Sequence, residues 1–278
     1  MCLPGTVETV RARADEEALP KISRRAALGL AAGAAAVTAL PAPVARARRI
    51  PDKRAVDLTH TFTEGFPVYA FDPPSRRTLV TVEDDGFYSQ EWTFGEHSGT
   101  HIDAPGHFIA GGRLSPELTP RELIAPAVVI DISNRAASNP DAVVTQRDLV
   151  SFERRHGRIP RNALVFMYSG WETRVGDPIA FKNPDASGTF HFPGFGIDAA
   201  NWLLTHRDIA GIGVDTLSLD NGPSQTFDVH LAILGADRYG IENLANLSRI
   251  PPRGATAFVG LIPWEEGSGG PARVLALS

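Results

Sequence analysis

The sequence predicts a mixed α/β domain, and three features carry that prediction. Short apolar runs bounded by turn residues, 127–132 (AVVIDI), 163–168 (ALVFMY) and 209–214 (IAGIGV), have the length and continuity of buried strands. Segments of helical character, 145–156 (TQRDLVSFERRH) and 197–206 (IDAANWLLTH), lie between them. Further strand candidates stand towards both ends. The combination fits one catalytic domain over residues 48–278.

The elements follow in order. Residues 55–59 (AVDLT) are a short strand candidate with turn-rich sequence after it, and 89–94 read as a strand running into a histidine-rich stretch. After the strand at 127–132, Thr145 can cap the first helix, whose apolar edge is Leu149, Val150 and Phe152. Strand 163–168 precedes the second helix, for which Asp198 is the expected N-cap. Strand 209–214 ends at Asp215. His230 opens a loop or short helix, and 256–262 and 273–277 read as closing strands.

The N-terminal region has a different logic. Residues 21–47 read KISRRAALGLAAGAAAVTALPAPVARA. Arg24 and Arg25 precede an uncharged, Ala-rich run from Ala26 to Leu40, too short for a membrane span of ~20 residues. Ala45-Arg46-Ala47 supplies small residues at a cleavage site. This is the order of a secretory signal, and the arginine pair resembles a twin-arginine signal. Residues 1–47 are therefore expected to direct export of a folded, cofactor-loaded protein to the periplasm or exterior, with no membrane span left after cleavage.

Composition narrows the function. Charged residues are 21% and apolar residues 43%, which is ordinary for a globular protein. A formal charge of −5 argues against a nucleic-acid partner. Cys2 is the only cysteine, so an intrachain disulfide is excluded and a thiolate nucleophile or metal ligand is disfavoured.

Residues 94–108, FGEHSGTHIDAPGHF, hold three of the eight histidines. In an extended chain, side chains at even spacing share a face. His97, His101 and Asp103 stand at i, i+4 and i+6, and Ser98-Gly99 can bend the chain without spoiling that parity. Two imidazoles and a carboxylate on one face make a half-site for a divalent metal, and oxygen and nitrogen donors without thiolate suit Zn²⁺ or Mn²⁺. A helix would carry Asp103 off that face, and Gly99, Pro105 and Gly106 disfavour one. The turn Ala104-Pro105-Gly106 can fold His107 back over the metal, where an unbound imidazole would carry protons.

The stretch from His97 to Phe108 resembles the H-x-G-T-H-x-D-x-P-x-H-F signature of the cyclase family, metal-dependent hydrolases that include bacterial kynurenine formamidase and isatin hydrolase. Gly213-Val-Asp215-Thr-Leu-Ser-Leu-Asp220 is similar to the family's G-x-D-T-x-S-x-D stretch. His230, followed twelve residues later by Glu242, matches a further family feature. The resemblance covers about residues 54–278. It implies a swivelling β/β/α fold, a homodimer or homotetramer, and a small-molecule substrate. It also implies that His97, His101 and Asp103 hold a first metal. Asp103 would bridge to a second held by His230 and Glu242 in two-zinc members, with His107 as acid/base. Single-manganese members lack a full second site, so one or two metals per subunit remain open. His230 and Glu242 do not share a helical face, so a loop must bring them together.

Other residues have two readings each. Asp215 and Asp220 either orient a histidine or cap loops. The segment 188–195, with His191 and Phe192, either lines the pocket or packs on itself at the surface. Trp171 falls near the site in one reading, while His60, His156 and His206 have no evident partner. There is no G-x-S-x-G elbow, no Rossmann or phosphate-loop glycine pattern and no H-E-x-x-H helix. The expected function is metal-assisted hydrolysis of an amide, lactam or ester. The alternatives are cyclisation or dehydration of a polyketide-like substrate, kynurenine formamidase activity proper, and an exported metal- or ligand-binding protein without turnover.

Overall fold

A computed structural model describes residues 55–278. The expected export signal over residues 1–47 lies outside the described residues. Twelve strands are described: β1 Ala55–Asp57, β2 Ser75–Val80, β3 Ser89–Thr93, β4 His101–Asp103, β5 Ile124–Asp131, β6 Val143–Val144, β7 Ala163–Tyr168, β8 Gly194–Phe195, β9 Ile209–Val214, β10 Tyr239–Glu242, β11 Arg253–Leu261 and β12 Gly269–Leu277. The longer helices are α1 Gln146–His156, α2 Ile197–His206 and α3 Asp228–Gly235.

Eight strands form one mixed sheet in the order β1-β12-β11-β5-β7-β9-β10-β4, and a further β12–β4 pairing closes it on itself. β5, β7, β9 and β10 run parallel, and β4, β11 and β12 pair antiparallel. Alternation along the parallel strands explains their continuous apolar sequence, because both faces are covered. Leu164 and Phe166 of β7 turn into the enclosed core with Val129, Ile102 and Ile241. Val165 and Met167 of the same strand turn outward onto Leu149 and Phe152 of α1 and Leu203 of α2. β6 and β8 form a separate two-stranded pairing.

Local chemistry fixes the helices. Thr145 caps α1 as expected, accepting from the Asp148 N–H while Asp148 accepts from the Thr145 N–H at 2.8 Å. Such reciprocal caps are worth ~1 kcal/mol. Asp198 does not cap α2. Gly196 holds the N-cap position, and Asp198 sits in the first turn and accepts from the Gln146 N–H of α1. Its carboxylate thus ties two helices together.

Residues 76–92 belong to a second unit, built on the β2–β3 pairing, with a short helix Val82–Asp85 capped by Thr81. Among the described residues, no helix is long and apolar enough to cross a membrane.

Candidate metal centre and pocket

Pairing of two short strands assembles the centre. β4 lies between β10 and β12, and its register sets His101 opposite Glu242 and Asp103 opposite Gly240. Directly opposed residues share a face, as do residues two apart on one strand. His101, Asp103 and Glu242 are therefore brought together by the pleat alone. His101 Nε2 lies 3.4 Å from Asp103 Oδ1 and 3.4 Å from Glu242 Oε2.

His230 arrives from α3. Its Nε2 is 3.1 Å from Glu242 Oε1 and 3.5 Å from Asp103 Oδ2. The chain between His230 and Glu242 is the rest of α3, a turn through Asp237 and strand β10, so the connection expected between them is a turn that joins a helix to a strand.

His97 reaches the centre through a bend at Gly99, within the Ser98-Gly99 step where the sequence allowed one. The extended run from His97 to Asp103 is broken, and β4 begins only at His101. Gly99 adopts φ +69°, and a Cβ there would meet the Phe62 ring at 2.5 Å. Only glycine accepts both conditions cheaply. The bend swings His97 beside Asp103, with Nδ1 2.6 Å from Oδ1. The Ala104-Pro105-Gly106 turn is a short 3₁₀ helix, Pro105–His107, and it does fold His107 back. The His107 ring stacks on His97 at 3.7 Å between centroids.

Asp103, His101, His230 and Glu242 are all nearly excluded from solvent. Two buried carboxylates this close must be balanced by positive charge. Burial opposes it, yet Asp103 and Glu242 raise His101 to about 9 and hold His230 well above the usual histidine range. Burial also disfavours the Asp103 charge, but the surrounding imidazoles hold it well below the usual carboxylate range. Burial and the Asp103 charge push Glu242 upward. Burial lowers His107 to about 4, so it stands neutral at physiological pH.

The donor set fits a divalent cation. Asp103 Oδ2 is a buried oxygen without a hydrogen bond. Donor atoms of His101, Asp103 and Glu242 lie within 4.8 Å of one another, as do those of His97, Asp103 and His107. Asp103 is common to both sets, but they divide the residues otherwise than expected: His107 stands with His97, Glu242 with His101, and His230 falls in neither. Each histidine is also held from behind: His101 Nδ1 lies 2.9 Å from the Gly99 carbonyl, and His230 Nδ1 lies 2.7 Å from Asp220 Oδ2. Asp220 further accepts the N–H groups of Val229 and His230, which locks the start of α3.

The two aspartates with open readings separate here. Asp220 orients a histidine. Asp215 caps a loop, accepting from the Ser169 N–H and hydroxyl and from the Trp171 N–H, and burial pushes it up to about 7. Trp171 packs with Phe181, Phe192 and Leu217, of which only Leu217 borders the site. His191 faces Asp141 at 2.9 Å and does not line the cavity. His206 turns back to the Trp202 carbonyl of its own helix, and His156 packs on Phe152. His60 Nε2 is buried without a hydrogen bond.

The centre forms the floor of a cavity of about 540 Å³. Its walls include Tyr69, Phe71, Phe108, Leu217 and Phe227. The charged lining residues besides histidine are Asp72, Glu96, Asp103 and Glu242, and no Lys or Arg is among the lining residues described. Tyr69, Leu217, Phe227, Glu96 and Ser268 were not legible as site residues. Glu96 and Leu217 lie within 94–108 and 213–220 at positions the family patterns leave unspecified, and Tyr69, Phe227 and Ser268 come from distant stretches without motif character.

The model of the Cyclase family matches residues 56–221. The chain belongs to the Cyclase family. Among its relatives in that family, the isatin hydrolase of Roseibium aggregatum is 34% identical over 80% of this chain and 90% of its own length. The structure of isatin hydrolase A from Ralstonia solanacearum superposes with a TM-score of 0.77 at 38% identity, covering 81% of this chain and 91% of that one. The kynurenine formamidase of Geobacillus thermodenitrificans is 37% identical over only 28% of this chain and 39% of its own length. The closed mixed sheet is thus the cyclase-like fold that the histidine signature implied.

Proposed function

We propose that this Cyclase-family protein is a metal-dependent hydrolase that opens an uncharged amide or lactam on an aromatic substrate. The observation that carries the reading is the convergence of three histidines and Glu242 on the Asp103 carboxylate, whose Oδ2 has no hydrogen bond, at the floor of an aromatic-walled cavity. His97, His101 and Asp103 would hold a first Zn²⁺ or Mn²⁺, and Asp103, His230 and Glu242 a second where two are bound. Such a cation supplies Lewis acidity to a carbonyl and acidifies water towards neutral pH. His107, neutral and stacked beside His97, accepts the proton of the attacking water and returns it to the departing nitrogen. Phe108 and Phe227 flank His230 and offer faces to an aromatic ring.

The lining favours a neutral substrate. A free carboxylate entering this cavity would meet Asp72 and Glu96 without a Lys or Arg to receive it. That supports isatin-like lactams, as the name of the R. aggregatum relative suggests, over amino-acid formamides. The arginine pair in residues 21–47 supports export of the loaded protein.

The test is turnover of isatin by metal-loaded protein in heavy-oxygen water, beside a formamide carrying an amino-acid side chain. Ring opening with solvent oxygen in the product, and preference for the uncharged substrate, are expected. A product without solvent oxygen would point to cyclisation or dehydration. Binding without conversion would point to a carrier protein.

A further inference from the structure

The hydrogen bonds around His97 run opposite to those around its partners. At His101 and His230 the outer nitrogen is Nδ1, which faces the Gly99 carbonyl and Asp220, so Nε2 points to the centre. At His97 it is Nδ1 that faces Asp103, and Nε2 lies 2.9 Å from the Ser268 hydroxyl. Ser268 in turn donates both its N–H and its hydroxyl to one oxygen of Glu96, each at 2.8 Å.

The direction of this chain is forced. A carboxylate only accepts, so the Ser268 hydroxyl must spend its proton on Glu96. Its lone pair then faces His97, and Nε2 must carry the hydrogen. The Nδ1 lone pair is left aimed at Asp103 Oδ1 across 2.6 Å. Two acceptors at that distance need a positive charge to share, which a second ring proton supplies without metal and a bound cation supplies in its place. The ring cannot turn away to escape. His107 covers one face, and a Cβ on Gly269 would come within 2.7 Å of His97 Cε1. Gly269 is also the residue that starts β12, and the Ser268 carbonyl accepts the Ala104 N–H at 2.9 Å, so the Ser268 backbone is fixed to the strand end carrying Asp103.

We infer that Ser268 and Glu96 are positioning residues that fix the His97 tautomer, so that His97 binds metal through Nδ1 while His101 and His230 bind through Nε2. The inference rests on the metal-centre reading above. Ser268 is 171 positions from His97, and neither it nor Glu96 is a metal ligand in this arrangement.

The experiment uses Zn²⁺ as probe and chelator competition as readout, on the full chain. Ser268→Ala should weaken zinc binding ~10–100-fold, the usual cost of losing such a partner. Ser268→Thr, which keeps the hydroxyl, should recover most of that loss. Glu96→Ala should weaken binding by itself but add little on top of Ser268→Ala, because both act through one chain of bonds. NMR of the nitrogen-labelled imidazoles in the zinc-loaded wild type should show His97 protonated on Nε2, and His101 and His230 on Nδ1. Unchanged zinc affinity in Ser268→Ala, or a His97 proton on Nδ1 in the wild type, overturns the inference and leaves the metal centre standing. Wild type that takes up no zinc overturns both.

Discussion

His107 lies nearly face to face with His97, the ring centroids 3.7 Å apart and the planes 22° from parallel. The same ring is within ligand reach of Asp103, so distance alone would allow it to bind metal or to carry protons. The two roles differ in their consequences. As a proton carrier, His107 can be removed without emptying the centre. His107→Ala should cut turnover by ~10²–10⁴-fold while metal content stays at the wild-type level. Loss of metal together with turnover would make it a ligand.

Asp220 holds His230 from behind and caps the first turn of α3 with the same carboxylate. Asp220→Ala frees both the imidazole and the helix start. Metal affinity should fall ~10–100-fold. Equilibrium dialysis against a buffered metal series checks this, and Asp220→Asn should fall between the two.

Arg113 joins the His107 loop to the turn between α3 and β10. Its carbonyl accepts the Gly106 N–H, and its guanidinium meets Glu122 at 2.8 Å and Asp237 at 2.7 Å. Burial opposes the charge on Glu122, but Arg113 and Thr119 pull it down to about 2. A carboxylate depressed on folding stabilises fully above its unfolded value of about 4.5 and loses that contribution as pH falls towards about 2. The pair is partly solvated, so the effect is ~1 kcal/mol or less, a Tm change of ~2–4 °C. Thermal melts across that window should fall less steeply for Glu122→Gln than for wild type. Parallel curves would assign no acid-side role to the clamp.

The proposed export rests on Arg24 and Arg25 in the N-terminal segment. Replacing both, Arg24→Lys with Arg25→Lys, should hold the protein inside the cell, because the twin-arginine route reads that pair. Fractionation of cells expressing either form gives the answer, and equal export of both would remove the twin-arginine assignment.

What the sequence disclosed follows from the range of each interaction. Strands β7 and β9 were legible to the residue, because both faces are buried and the apolar run is uninterrupted. β2, with its exposed SRRTLV, carries no such signal. β10 is only four residues long and was missed, although it delivers Glu242. His101 and Asp103 were legible from strand parity. His97 stands beside Asp103 through the bend that Ser98-Gly99 allowed, with Gly99 in the left-handed region. His230 and Glu242 could be named only by resemblance, because a helix, a turn and a strand separate them. Ser268, Tyr69 and Phe227 depend on contacts across the whole chain, and no local pattern announces them, whereas the Phe108 wall closes the histidine signature itself.

Asp103 is the residue on which every donor converges, so it offers the most direct test of the central claim. Metal analysis of gently purified wild type should find at least one equivalent of zinc or manganese per chain, and Asp103→Ala should retain essentially none while keeping its fold by circular dichroism. A wild type that neither carries nor takes up a divalent metal, or an Asp103→Ala protein that binds it as well as wild type, would contradict the account.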